Sequence, residues 1–279
     1  MIYNNIDPIL FSIGPLSIRY YGLAYVIGLI GTYLFLKLIA KSKNYNTKFN
    51  ENDVDDIFIY IMLGLILGAR IGYILIYNFQ FYLANPLIVF QMWRGGMSFH
   101  GGLIGVILGI ALFVKIHNKK LSNKKNKTKK EKLEIYDITD YLTIPAAFGL
   151  AVGRIANFTN HELFGRVTEM PWGVKFRSIE GYRHPSQIYE SFYSIILGLI
   201  QWFLLTKDIA KGILTWSFIS LYGFFRFITE FFREPDLHIG VDGFLFGLIT
   251  MGQALSIIMI ISGLVMINKI YKQACKKYE

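Results

Sequence analysis

Seven apolar stretches, each about as long as a bilayer is thick, punctuate the chain at about residues 20–39, 57–77, 98–116, 138–157, 187–206, 212–232 and 243–268. A membrane-crossing helix needs ~20 mostly apolar residues, and in lipid every backbone N–H and C=O must find a partner inside the protein. Stretches of this kind are therefore committed to helix. Charged residues make up 17% of the chain, against ~25% in soluble domains. The fold class expected is an all-α integral membrane protein with about seven transmembrane helices, forming a single polytopic domain over residues 1–279. A shorter apolar piece, 83–93, cannot cross and is assigned to the interface, where Trp93 suits the aromatic belt. Residues 1–18 lack a basic leader region, so the first span is expected to stay in the bilayer. No repeat of 20–50 residues is visible. One cysteine, Cys275, excludes an intrachain disulfide and a cysteine metal site.

The net charge of +10 has to be placed on this map. Alternate connections at 37–55, 115–135, 207–211 and from 269 onward hold 19 of the 29 basic residues, and all 19 are lysine. The positive-inside rule puts these segments in the cytoplasm, with the N-terminus outside and the C-terminus inside. Residues 118–132 become a basic cytoplasmic loop against anionic headgroups, and 158–186 an extracytoplasmic loop. Nucleic-acid binding is not expected.

All nine arginines fall elsewhere: Arg19, Arg70, Arg94, Arg154, Arg166, Arg177, Arg183, Arg226 and Arg233. A guanidinium grips phosphate or carboxylate through a planar fork and stays charged. Arg94, Arg166 and Arg177 are equally consistent with surface charges that snorkel. Arg70, Arg154 and Arg226 lie inside spans, where a cation costs at least ~2.5–3.5 kcal/mol unless it faces protein, water or an anion. Each sits about three to seven residues from the outer end of its span, hence within roughly 10 Å of the outer boundary. Arg19 and His100 open inward-running spans and share that layer. An anion at headgroup depth is the simplest ligand. A phospholipid phosphate fits better than a transported ion, because no matching polar row continues into the inner half.

Other polar groups gather there. Glu230 follows Arg226 by four residues, on the same helical face; a self-neutralising ion pair is the plain alternative. Glu162 comes after Arg154 just past the span end, with Asn157 and Asn160 between them. Tyr20 and Tyr21 open the first span. His100 precedes Gly101 and Gly102, and its setting among arginines points to an acid–base or orienting role. Gly64, Gly68 and Gly72, and Gly101, Gly105 and Gly109, form small-residue stripes that predict close helix packing. Ser98 and His100 are two apart and do not face each other on one helix. Neither GxSxG, HExxH nor a Walker A sequence occurs. His161, His184 and His238 match no standard metal spacing. Cys275 lies on the cytoplasmic side, so any reacting thiol belongs to a substrate.

Residues 153–165, Gly-Arg-Ile-Ala-Asn-Phe-Thr-Asn-His-Glu-Leu-Phe-Gly, resemble the signature of the bacterial prolipoprotein diacylglyceryl transferase family. Further stretches resemble the same family in the same order: Arg19-Tyr-Tyr-Gly-Leu, Gly68-Ala-Arg-Ile-Gly-Tyr, Ser98-Phe-His-Gly-Gly-Leu-Ile-Gly, His184-Pro-Ser-Gln-Ile-Tyr-Glu and Tyr222-Gly-Phe-Phe-Arg-Phe-Ile-Thr-Glu-Phe-Phe-Arg-Glu-Pro-Asp. Thr159 departs from an apolar position and Ala156 from a common Gly. The lysine loop looks like an insertion. The resemblance implies transfer of diacylglyceryl from phosphatidylglycerol to the lipobox cysteine of a preprolipoprotein, at the outer leaflet of the bacterial cytoplasmic membrane. No metal or cofactor is implied. The family's catalytic positions fall on His100, Arg154, Arg226 and Glu230. Tyr21, Asn157 and Glu162 also match positions the family treats as functional; with Asn160 beside them and both arginines, they are expected to bind substrate.

Two other classes compete. A transporter or flippase would need polar groups at the midplane and an inward path; the first and seventh spans offer few such groups, and the charged cluster is expected in one leaflet only. A structural subunit with buried ion pairs leaves the arginine clustering and the His-Gly-Gly segment unexplained.

Overall fold

The computed structural model describes residues 2–14, 16–45, 47–92, 95–123, 132–177, 179–234, 244–245 and 248–276. Trp93, Arg94, His238 and most of the basic loop lie outside the described residues. Helices dominate: α1 (Tyr20–Lys41), α2 (Glu51–Tyr77), α3 (Phe79–Ala84), α4 (Phe99–Asn123), α5 (Tyr136–Thr159), α6 (Ser186–Leu205), α7 (Ile213–Thr229) and α8 (Met251–Cys275). Among the described residues six of these are long and apolar enough to cross a membrane, and α7 is a shorter apolar helix of 17 residues. The chain is a multi-pass membrane protein. It divides into two compact units, Phe35–Ile138 and Met1–Leu34 with Thr139–Glu279.

In the unit Phe35–Ile138, α2 starts at a capping box. Asn50 Oδ1 accepts from the backbone N–H groups of Asn52 and Asp53, and Asp53 returns Oδ2 to the Asn50 N–H at 2.9 Å. Helices α2 and α4 then pack through the two glycine stripes, as the sequence predicts. A Cβ on Gly68 would lie 2.7 Å from Gly105 Cα, and one on Gly72 would lie 2.7 Å from Gly101 Cα, so the backbones themselves are in contact. The short apolar piece after α2 forms α3 and a 3-10 turn at Pro86–Phe90. It exposes Leu83, Leu87 and Phe90.

In the other unit, two small strand pairs dress the N-terminus. Strand β1 (Ile2–Tyr3) runs parallel to β4 (Val174–Lys175), while β2 (Ile9–Ile13) and β3 (Leu16–Arg19) form a hairpin. Asn4 Nδ2 donates to the Phe158 carbonyl at 2.8 Å, tying this segment to the end of α5. Helix α6 is turned inside out relative to a soluble helix. Its buried positions include Ser186, Gln187, Glu190, Ser194 and Gln201, while Ile188, Phe192, Ile195 and Leu199 are exposed. That is the pattern lipid demands: apolar residues outward, polar residues against other helices.

One helix start differs from expectation, and another falls where expected. The last apolar stretch starts near 243, yet α8 begins at Met251. Before it, β5 (Phe244–Leu245) pairs with β6 (Ile249–Thr250). The reason is local: Thr250 caps α8, accepting from the Gln253 N–H while Gln253 Oε1 accepts from the Thr250 N–H. Helix α7 begins after Gly212, whose φ of 86° is left-handed. Its first turn is capped from α5, where buried Asp140 accepts from the Gly212 N–H at 2.7 Å and the Thr215 N–H at 2.9 Å. A carboxylate at a helix N-terminus satisfies orphan donors and the helix dipole together.

Candidate active site

Three helices of one unit deliver charged side chains to the same point. Helix α6 contributes Glu190, 1% exposed. Helix α7 contributes Arg226, whose Nη1 donates to Glu190 Oε1 at 2.7 Å. Helix α5 contributes Arg154, whose Nε lies 2.7 Å from Glu190 Oε2 as an ion pair without hydrogen-bond alignment. One buried carboxylate therefore engages both arginines. Arg226 reaches a second carboxylate through Nη2, 2.8 Å from Glu230 Oε2, at the i,i+4 spacing expected from the sequence. Glu230 is itself buried; its Oε1 accepts from the Thr250 hydroxyl at 3.0 Å. Two guanidinium groups and two carboxylates make a locally balanced cluster. The layer is thus less positive than an arginine count alone implies, and it costs less to bury.

The residues after Arg154 extend this cluster. Asn157, buried near the end of α5, accepts from Arg154 Nη1 at 3.4 Å and donates Nδ2 to Glu162 Oε1 at 2.6 Å. The turn that makes this contact carries Leu163 and His161 at positive φ, 55° and 56°. Gln187 of α6 holds the same turn, donating Nε2 to the Glu162 carbonyl at 2.6 Å. Asn160 Oδ1 and Gln187 Oε1 are buried with no hydrogen-bond partner among the described residues. Such acceptors are costly unless a ligand or water reaches them. Tyr21 is within electrostatic reach of both Glu162 and Arg154, and its hydroxyl pairs with Tyr25 at 3.1 Å. Tyr193, one turn after Glu190, stacks on Phe225 at 5.4 Å and walls the cluster. Of the residues singled out in the sequence, Tyr21, Arg154, Asn157, Glu162, Arg226 and Glu230 meet here, and Asn160 stands on the same turn.

His100 opens α4 in the other unit, its ring edge-on to Phe99. Arg70 has a different surrounding. It is 2% exposed, and its guanidinium donates to five backbone carbonyls: Val89 from Nε, Gly95 and Gly96 from Nη1, Ile88 and Gln91 from Nη2. A guanidinium has five N–H donors, so this one is saturated by protein. Of the partners open to an arginine within a span, Arg70 faces protein. In the segment between α5 and α6, Arg166 Nε donates to the Arg233 carbonyl at 2.9 Å, and Arg183 pairs with Glu234. Burial holds the His184 imidazole below its ordinary value. Its Nδ1 lies 3.1 Å from the Tyr189 hydroxyl, which also accepts from Trp172 Nε1 at 2.7 Å.

Glu190 and Gln187 are the site residues that the sequence reading passes over. Both lie in the His184–Glu190 segment quoted for its resemblance. The signal was present, because Glu190 is a carboxylate inside an apolar span, and such a residue implies a buried partner.

Fold and cluster together define a multi-pass membrane protein with a charged centre built between apolar helices. The model of the prolipoprotein diacylglyceryl transferase family matches residues 8–269, and the chain belongs to that family. It is 42% identical to the phosphatidylglycerol--prolipoprotein diacylglyceryl transferase of Oleidesulfovibrio alaskensis over 99% of both chains. It is 41% identical to the protein of the same name from Geobacter sulfurreducens, over 95% of this chain and 96% of the relative. The Aeromonas salmonicida protein, also of that name, is 40% identical over 98% and 93%.

Proposed function

We propose that this protein transfers the diacylglyceryl group of phosphatidylglycerol to the lipobox cysteine of a preprolipoprotein, forming a thioether and releasing glycerol phosphate. The observation that carries the reading is the convergence of Arg154 and Arg226 on Glu190 at a buried point between apolar helices. Family membership and the names of the relatives support the substrates. The lysine distribution supports a single polytopic domain with its N-terminus outside, its C-terminus in the cytoplasm and its site toward the outer leaflet of the bacterial plasma membrane.

The chemistry is set by the groups present. The cysteine sulfur attacks the glycerol carbon that carries the phosphate ester. A C–S bond forms, the C–O bond breaks, and the ester oxygen leaves with the electron pair. A thiol of pKa ~8.5 is mostly protonated at neutral pH, so its proton must be taken up; His100 is the assigned acceptor or, alternatively, an orienting group. Negative charge moves from sulfur to phosphate during the step. Arg154 and Arg226 are suited to hold the phosphate and stabilise that charge. Glu190 and Glu230 aim the guanidinium groups. Asn157, Asn160 and Glu162 line the place for the glycerol hydroxyls, with Tyr21 beside them.

The test uses purified protein, phosphatidylglycerol with a labelled headgroup glycerol, and a lipobox peptide. The expected result is cysteine-dependent release of labelled glycerol phosphate with a diacylglyceryl mass gain on the peptide, lost in Arg154→Ala and Arg226→Ala. Labelled lipid crossing the bilayer with no transfer would overturn the reading in favour of a flippase. Replacing His100 by Gln separates its two roles: near-normal activity across pH would exclude an obligatory base.

A further inference from the structure

Glu230 is seated in a gap that one glycine leaves open. It caps the outer end of α7, and its carboxylate lies against the first turn of α8. Thr250, the N-cap of α8, uses its hydroxyl twice: the oxygen accepts from the Gln253 N–H at 3.1 Å, and the proton goes to Glu230 Oε1 at 3.0 Å. Two residues on is Gly252. A Cβ there would lie 2.5 Å from Glu230 Oε1, 2.6 Å from its carboxyl carbon and 2.8 Å from Oε2. These are the three nearest atoms such a methyl meets, and they are the far end of a side chain rather than backbone. A methyl at 252 would therefore displace the carboxylate, not the helices. The other oxygen of that carboxylate faces Arg226 Nη2 at 2.8 Å. Gly252 thus acts on Arg226 at one remove: it fixes where the Arg226 partner can stand.

We propose that Gly252 is a positioning residue for the transferase reaction: with Thr250 it forms the seat that holds Glu230, and through Glu230 it aims the Arg226 guanidinium. The inference rests on the transferase reading for its consequence in activity, and on geometry alone for its consequence at Arg226. Other close-packed glycines in the molecule, such as Gly68 and Gly105, meet backbone atoms and serve helix packing. Gly252 differs because it meets the carboxylate that holds a functional arginine. A shift of about 1 Å in a group that acts on the reacting atoms costs on the order of 10²-fold in rate.

The experiment compares the parent protein, Gly252→Ala, Glu230→Asp and the double variant. Each is purified in detergent, its melting followed, its transfer assayed, and its arginine side chains labelled with 15N for NMR, with Arg226→Lys assigning the resonance. In Gly252→Ala the Arg226 guanidinium resonances should move, kcat should fall about 10²-fold, and the melting midpoint should stay within a few degrees. Aspartate is one methylene shorter and leaves room for the new methyl. Glu230→Asp should therefore raise transfer in the Gly252→Ala background, although alone it lowers transfer. Unmoved Arg226 resonances in Gly252→Ala would overturn the proposal, whatever the rate. A collapsed melting midpoint with no rescue by aspartate would also overturn it, because Gly252 would then serve folding only. Moved Arg226 resonances in Gly252→Ala, beside a parent protein that transfers nothing, would leave the seat standing and remove the transferase reading instead.

Discussion

Glu190 accepts a 2.7 Å hydrogen bond from Arg226 across the interface of α6 and α7, and its second oxygen stands 2.7 Å from Arg154 Nε on α5. Removing that carboxylate leaves two half-buried guanidinium groups, with Glu230 still against Arg226. Breaking a buried ion pair by deleting one partner costs about 3–5 kcal/mol. Glu190→Gln keeps the shape, so its loss reports charge rather than packing. We expect stability to fall by about 3 kcal/mol and transfer to fall about 10²-fold, the scale of losing one charge-stabilising contact. Denaturant melts and the lipobox-peptide assay check this. A Glu190→Gln protein with parental transfer would refute its role in aiming the arginines.

Arg70 predicts the opposite pattern. Its five N–H groups are spent on five carbonyls between Ile88 and Gly96. Lysine offers three donors, so Arg70→Lys leaves at least two carbonyls unpaired, at ~1–3 kcal/mol each. We expect a lower melting midpoint and faster proteolysis between residues 86 and 96. The KM for phosphatidylglycerol should stay unchanged in whatever fraction remains folded. A raised KM with unchanged stability would mean that Arg70 binds phosphate after all.

Packing of α2 on α4 depends on the absence of side chains. A Cβ on Gly105 would collide with the Gly64 carbonyl oxygen, and backbone cannot swing aside. Gly105→Val should therefore cost at least the ~1–3 kcal/mol typical of overpacking. The expected readout is loss of folded yield in membranes. Parental yield would show that the two helices can separate at no cost.

His184 gives a pH dependence. Burial lowers its proton affinity in the folded chain, so the unfolded chain binds more protons in the window just below its ordinary value of ~6.5. Stability from this group is fully present above that value and declines as pH falls through the window. The difference in melting midpoint between parent and His184→Gln should shrink from pH 7.5 to pH 5. A difference that stays constant over that range would show that His184 does not titrate differently on unfolding.

Apolar runs and single charges encode some of this architecture and leave the rest to tertiary contacts. The spans are legible because lipid allows only one backbone solution over about twenty apolar residues. The glycine stripes are legible because their spacing repeats at the helical period. The start of α8 is not, because residues 243–250 are as apolar as the helix itself, and only the Thr250 cap decides the boundary. Arg154 and Arg226 stand out as cations in apolar spans. Glu190 obeys the same rule with the opposite sign, but a reading organised around basic residues passes it by. The partners of Arg70 cannot be foreseen at all: they are backbone carbonyls, which every sequence contains.

Asp140 carries the last expectation. It lies on α5, the helix that also bears Arg154, and it caps α7, the helix that bears Arg226. Its Oδ1 also accepts from the Thr215 hydroxyl at 2.5 Å. The start of α7 is thereby fixed to α5, and Arg226 rides roughly 20 Å further along at ~1.5 Å per residue. Loss of a cap costs about 0.5–2 kcal/mol, and the buried N–H groups left behind add to it. Asp140→Ala should therefore destabilise by about 2–3 kcal/mol. Asp140→Asn retains one oxygen acceptor and should cost less. If α7 slides when uncapped, transfer falls further than the folded fraction does, and the deficit is smaller in Asp140→Asn. Equal specific activity per folded molecule in all three proteins would show that the cap supports stability alone and that α5 does not set the axial position of Arg226.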